Sequence, residues 1–257
     1  MSYLETIFLG VVQGIAEFLP ISSSGHLTIL QELMGRKLET VELNIVLHLG
    51  TLISIAVVFW HDLITLYKQP RLLAAIVVAT LPLLPMGLFL KDWLEETFQA
   101  TIWAGVCLCI TAVLLASFRR IEHGDRDLAQ IRLSDALVVG LFQAIAPLPG
   151  ISRSGITIFG GMLTGLSRET AARFSFLIAI PAIGGATVLY AKDLLEGSSS
   201  GTDAGPLLAG AVVACVIGIL SLRWLLRLVQ TRRLWPFAVY CALVGLATIA
   251  WQLTLQR

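Results

Sequence analysis

Charge is what this sequence has least of. Of its 257 residues, 14% are Asp, Glu, Lys or Arg and 56% are hydrophobic, with a mean hydropathy of +0.84. Soluble domains carry about 25% charged residues. So small a polar complement excludes a large soluble enzyme, which would lack the surface to stay in solution. The two signs nearly cancel, 18 basic against 17 acidic for a net +1, so no overall field points to nucleic acid or to an acidic partner. Cysteine is scarce and unpatterned. Cys107, Cys109, Cys215 and Cys241 all lie in apolar runs without ligand-like spacing, so neither a disulfide framework nor a zinc site is implied. Glu5 stands where a secretory segment would be basic, and no small-residue cleavage site follows, so no removable signal peptide is predicted. No stretch is long enough for an extramembrane domain, and 196–206 (EGSSSGTDAGP) reads as a flexible connector.

What is present is a succession of apolar runs of about 20 residues, the length that crosses a bilayer as a helix. The expected fold class is an all-α integral membrane protein of several passes. Shifting the chain by 130 residues lays GVVQGIAEFLPISSSG (10–25) on GLFQAIAPLPGISRSG (140–155) without a gap. Gly10, Gln13, Ile15, Ala16, Ile21, Ser22, Ser24 and Gly25 recur as Gly140, Gln143, Ile145, Ala146, Ile151, Ser152, Ser154 and Gly155. Five of these eight pairs are Gly, Gln or Ser, which shared apolarity does not explain. The chain therefore reads as one membrane domain, 1–257, built from a repeat of about 1–125 and a second of about 131–257.

Each repeat opens with a broken segment, 3–34 and 134–165, and continues with three apolar spans. These are 43–66, 72–90 and 101–118, then 172–191, 206–226 and 236–255. Pro20 splits the first broken segment, and Pro147, Pro149 and Gly150 split the second. Each piece is too short to cross, and serine follows each break as a helix N-cap. The pattern predicts two re-entrant helix hairpins. A hairpin adds no net crossing and three spans add an odd number, so the repeats are expected to have inverted topology. Loops 67–71, 119–133, 166–173 and 223–235 hold twelve basic residues, and the other side holds five: Arg36, Lys37, Lys91, Lys192 and Arg257. The positive-inside rule then places both termini and the mouth of the first hairpin outside.

Opposed hairpins should meet near the midplane, where non-helical backbone survives only beside protein or water. Ser23 and Arg153 are repeat equivalents and are expected face to face, with Glu17 and His26 alongside. A charge at the centre of a membrane helix costs about 2.5–3.5 kcal/mol, so Glu17 and Arg153 need a role, either at a site or as a structural ion pair. The SSSG and SRSG turns start half-helices whose first N–H groups and dipole attract anions. Arg153 offers a planar fork for phosphate oxygens, and His26 exchanges a proton near neutral pH. Ser22 and Ser152 read chiefly as N-caps; Ser24, Ser154 and Thr157 read as caps or as donors to a ligand. His48 reads as a packed residue, and His61 and His123 as loop residues without a constellation. The Gly10/Gly14 and Gly161/Gly165 pairs read as close-packing faces. This chemistry inside a membrane suits a phosphorylated lipid.

QGIAEFLPISSSGH (13–26) and PGISRSGIT (149–157) resemble the two signatures of the bacitracin-resistance family of undecaprenyl-diphosphate phosphatases. The likeness extends through LHLGTLISIAVVFW (47–60) and 160–187, and so over nearly the whole chain. Gln13 stands where other members carry Glu, one charge fewer for any metal there. The resemblance implies hydrolysis of undecaprenyl diphosphate to the monophosphate and phosphate, recycling the carrier for cell-wall synthesis and conferring bacitracin resistance. It implies a divalent cation (Mg²⁺ or Ca²⁺) near Glu17 and a site facing the periplasm from the cytoplasmic (inner) membrane. The expected catalytic set is Glu17, Ser23, His26 and Arg153. The expected phosphate-binding set is Gln13, Ser24, Gly25, Ser152, Ser154 and Thr157. Ser23 is the preferred nucleophile, activated by His26 or Glu17, with His26 as nucleophile or as activator of water kept open. The partners expected are the lipid substrate and the bilayer, with no nucleic acid; the oligomeric state, a homodimer included, stays open. The rival reading is a carrier that translocates a polyprenyl phosphate, since inverted repeats with half-helices also build transporters.

Overall fold

The computed structural model describes residues 2–35, 41–98, 100–121, 124–195, 203–231 and 233–255. Arg36, Lys37, His123, Arg232, Arg257 and most of the 196–206 connector lie outside the described residues. The described chain is all helix apart from turns and loops, with one isolated bridge between Arg126 and Leu166.

The amino-terminal hairpin is α1 (Tyr3–Ala16) and α2 (Ser23–Leu33). A capping box between Ser2 and Glu5 starts α1. It stops where Pro20 approaches, and Ser22 caps α2 by accepting from the Gly25 N–H. After α3 (Val41–Val58) come α4 (Trp60–Thr65), α5 (Pro70–Thr80), α6 (Leu83–Leu88) and α7 (Lys91–Thr97), then α8 (Thr101–Ser117). The second hairpin is α9 (Leu133–Ile145) and α10 (Arg153–Leu163), with Ser152 capping α10 through the Gly155 N–H. The chain ends with α11 (Arg168–Leu195), α12 (Ala204–Gln230) and α13 (Trp235–Leu255).

Of the six expected spans, 101–118 falls on α8, and 172–191, 206–226 and 236–255 fall on α11, α12 and α13. The first two are corrected. The span expected over 43–66 bends by 70° between α3 and α4, with buried Phe59 at the break stacked on Phe176 of α11. The span expected over 72–90 is interrupted at Leu81 and Pro82, because proline lacks an N–H and clashes with the preceding turn. His61, expected in a loop, lies in α4. His48 packs as expected, its Nδ1–H donating to the Asn44 carbonyl.

Among the described residues three helices, within α11, α12 and α13, are long and apolar enough to cross a membrane, or four if the bent α3–α4 pair counts as one span. Large apolar side chains cover the outside: Val113 is 72% exposed, Val188 69%, Leu208 66% and Leu243 65%. A surface so greasy would aggregate in water and belongs against lipid tails. The protein is a multi-pass membrane protein.

Glycine lets the helices close on one another. Gly10 and Gly14 of α1 lie against the backbone of α12 at Gly210, Ala214 and Gly218. The contacts advance together along both helices, so α1 and α12 run parallel. Gly105 of α8 packs on Gly245 of α13, while Arg119 lies over the Trp235 ring 5.3 Å from its centroid, so α8 and α13 run antiparallel. Phe18, at the first hairpin's tip, meets Gly218. That contact lies twelve residues from the end of α12 and fourteen from its start, or about 18 and 21 Å at 1.5 Å per residue. The tip is therefore near mid-depth of the bundle.

Candidate active site

The two helix breaks touch. A Cβ placed on Gly25 would lie 2.7 Å from the Gly150 Cα, so only glycine fits at the crossing. Ser22 braces the contact. Its Oγ accepts from the Gly25 N–H of its own hairpin and, at 3.2 Å, from the Gly150 N–H of the other. Ser22 also carries the one positive φ (67°) of any described non-glycine residue, a conformation costing about 1–3 kcal/mol that the surroundings must hold. The opposite tip is pinned from α8: Thr111 donates to the Gly150 carbonyl and accepts from the Ser152 N–H. Gly25→Ala should push the tips apart at a cost of about 1–3 kcal/mol. Thermal unfolding in detergent should show a drop, while Gly184→Ala, with nothing within 4 Å, should be neutral or better. Equal behaviour of the two variants would mean that the tips are not in contact.

On this brace sits a polar cluster. The Glu17 Oε1 accepts from Arg153 Nη2 at 2.7 Å, with side-chain exposures of 9% and 14%. Its Oε2 accepts from the Ser23 hydroxyl at 3.0 Å and from Gln13 Nε2 at 3.2 Å. Glu17, Ser23, Arg153 and Gln13 are thus brought together as expected, from three separate stretches of chain. The ion pair between Glu17 and Arg153, weighed above as the alternative to a role at a site, exists. It is not self-contained: Arg153 Nη1 is buried without a hydrogen-bond partner among the described residues. Burying an unpaired polar group is costly, so this nitrogen is an open donor at the tips.

His26 stands one turn beyond Ser23 on α2 but turns elsewhere. Its Nδ1 lies 2.8 Å from the Ser22 carbonyl and its Nε2 2.8 Å from the Tyr240 hydroxyl of α13. No hydrogen bond joins it to Ser23, Glu17 or Arg153 among those of the described residues. The expectation that His26 serves as base for Ser23 is therefore not supported by its position here; Glu17 is the group in contact with that hydroxyl.

The remaining expected binders divide by burial. Ser24 is exposed at the head of α2, its Oγ 3.3 Å from that of Ser22, open to a ligand. Ser152, Ser154 and Thr157 are buried with their hydroxyls engaged inside the protein: Ser152 with Ser154 at 3.2 Å, and Thr157 with Ser175 at 2.6 Å and the Arg153 carbonyl at 2.7 Å. They brace hairpin two beneath Arg153. Two residues escaped the sequence reading. Tyr240 and Thr111 sit inside apolar spans with no motif around them, and no signal in the sequence marks them.

Two open clefts, of about 460 and 650 Å³, lie away from the tips. One is lined by Asp62, Asp127, Glu169 and Arg173, the other by Arg71, Arg132 and Leu133.

The donors at the tips suit a divalent cation only in part. Among the described residues no three His, Cys, Asp or Glu gather. Glu17 and the Ser23 hydroxyl, 3.0 Å apart, offer hard oxygens, whereas Gln13 turns its amide Nε2–H to Glu17 and would offer an oxygen only with the amide reversed. Such a set fits a Mg²⁺ or Ca²⁺ whose other ligands are phosphate oxygens, the usual manner of Mg²⁺.

Comparison with known proteins is specific. The family model for bacitracin resistance protein BacA matches residues 6–247. An undecaprenyl-diphosphatase of Rhodopirellula baltica is 48% identical over 248 residues, covering 96% of each chain. One from Methanosphaera stadtmanae is 39% identical over 97% of this chain and 98% of its own. Another from Alkaliphilus metalliredigens is 37% identical over 98% and 100%.

Proposed function

We infer the chemistry of the hairpin tips from one premise: the chain belongs to the bacitracin resistance protein BacA family. It is an undecaprenyl-diphosphate phosphatase, releasing phosphate from the lipid diphosphate and leaving the monophosphate. The observation that carries this reading is one carboxylate, Glu17, shared between a hydroxyl and a guanidinium from opposite hairpins.

The residues divide the work as follows. Arg153 turns its unpartnered Nη1 and the Nη2 now on Glu17 to the terminal phosphoryl oxygens, a bidentate grip. The exposed Ser24 and the start of α2 add donors to the same anion. Losing Arg153 to the substrate leaves Glu17 free to take the Ser23 proton. The Ser23 Oγ then attacks the terminal phosphorus, the bond to the bridging oxygen breaks, and the lipid monophosphate leaves. Water attacks the phosphoseryl phosphorus and gives a proton to His26, the bond from phosphorus to Ser23 Oγ breaks, Glu17 returns its proton to that oxygen, and phosphate departs with Ser23 restored. Phosphoryl transfer asks for positioning and charge neutralisation, and these residues provide both. Glu17, with Gln13 once its amide oxygen is turned inward, would hold a divalent cation brought with the diphosphate, which would neutralise charge on the phosphate oxygens.

The fold is read as an inverted-topology repeat of two re-entrant hairpins, each with its membrane spans. Matching proline or glycine breaks, matching Ser22 and Ser152 caps, and the parallel α1–α12 and antiparallel α8–α13 pairs support it. With the basic residues on the cytoplasmic face, hairpin one opens to the periplasm from the inner membrane.

A carrier would need the anion grip but not a serine hydroxyl hydrogen-bonded to a carboxylate. The two readings part in one assay. Purified protein in detergent with Mg²⁺ or Ca²⁺ is expected to release phosphate from C55 or C15 prenyl diphosphate. Silence there, with lipid translocation persisting in vesicles, would overturn the phosphatase reading.

A further inference from the structure

Tyr240 belongs to neither signature, and 214 residues separate it from His26, yet its hydroxyl oxygen lies 2.8 Å from His26 Nε2. The two rings are nearly parallel, 5° apart, with centroids 5.5 Å apart. The other ring nitrogen, Nδ1, faces the Ser22 carbonyl at 2.8 Å, and a carbonyl only accepts. A neutral imidazole has one proton to place, so it sits on Nδ1. Nε2 is left with its lone pair and accepts from the Tyr240 hydroxyl. His26 is thus held at both ends, by the strained Ser22 of its own hairpin and by a tyrosine of α13. α13 is anchored beside the first hairpin a second time, where the next residue, Cys241, directs its thiol at the Pro20 carbonyl.

We propose that Tyr240 is a positioning residue for the phosphatase reaction. It fixes His26 in the Nδ1–H tautomer, with the basic nitrogen turned to α13 and clear of Ser23. The consequence is a division of labour between the two candidate bases. Ser23 is left to Glu17, and Nε2 stays unprotonated until the phosphoryl group and its water arrive. Tyr240 acts through His26 and touches neither Glu17 nor Arg153 among the described contacts. The half-exposed position on α13 makes the side chain replaceable without emptying the core.

The proposal rests on the phosphatase reading for its kinetic consequence, and its first test does not depend on turnover. Diethyl pyrocarbonate modifies an unprotonated imidazole nitrogen, and mass spectrometry assigns the product to His26 separately from His61. Tyr240→Phe keeps the ring and removes the donor. Carbethoxylation of His26 should quicken about fivefold, the worth of one ordinary hydrogen bond. His61 should not change. Fluorotyrosine at 240, a stronger donor of the same shape, should slow the modification instead. With lipid diphosphate, Tyr240→Phe should lower kcat about tenfold and leave KM within about twofold, as for a proton-transfer group held less well. An unchanged modification rate in both variants would overturn the proposal even in an inactive protein. A purely structural tyrosine would lower unfolding temperature and folded yield without moving the two variants in opposite directions.

Discussion

Arg153→Ala should lower phosphate release from a prenyl diphosphate by about 10³- to 10⁵-fold, the scale on which a transition-state arginine works in phosphoryl transfer. The physical reason is the position of the guanidinium. One nitrogen is committed to Glu17 and the other is buried with nothing to bond. Substrate oxygens complete that donor set, and no other cation lies within salt-bridge distance of Glu17 among the described residues. The same substitution strands Glu17, and removing one partner of a buried pair costs about 3–5 kcal/mol. Unfolding must therefore be measured beside turnover. Arg153→Lys keeps the charge and gives up the fork, so it should fold near normally and still lose most activity. Glu17→Gln should retain the geometry of an acceptor for Arg153 and Ser23 while losing the base, at about 10²- to 10⁴-fold in rate. If the folded fractions of all three variants turn over at the parent rate, the pair only holds the hairpins together.

Ser23→Ala should abolish turnover, by about 10⁴-fold or more, because a nucleophile's loss removes the covalent route altogether. The change is small in the fold: Ser23 is half-buried, and what goes is one hydrogen bond to Glu17, about 1 kcal/mol. Rapid acid quenching of the parent enzyme should trap an acid-stable phosphoserine at residue 23, absent from the variant. A phosphate that is lost in acid but survives in base, on His26, would reassign the nucleophile. The geometry argues against that outcome, since it is the Ser23 hydroxyl, and not His26, that is hydrogen-bonded to the carboxylate of Glu17.

Much of this site could be read from the chain alone, and for one reason. Pro20, Pro147, Pro149 and Gly150 interrupt apolar helices, so they announce themselves against a uniform background. Glu17 and Arg153 stand out likewise, because charge in such a chain is rare and costly. The break at Phe59 gave no such warning. No proline or glycine makes it; it lies at a packing contact with Phe176. The reading of Ser154 and Thr157 as phosphate donors also depended on information the chain does not carry. Whether a hydroxyl faces a ligand or a neighbour turns on which helix lies behind it, and behind Thr157 lies Ser175 of α11.

Composition and local pattern settled the membrane class, the two broken hairpins and the identity of the residues at their tips. Those follow from short-range physics: helix breaking, capping and the cost of charge in lipid act within a few residues. Tertiary structure decided which oxygen of Glu17 meets which partner, that Ser22 bridges the hairpins, and that Tyr240 claims His26. Hydrogen bonds act only near 3 Å, so residues 136 or 214 apart become partners only when packing fixes the register of whole helices.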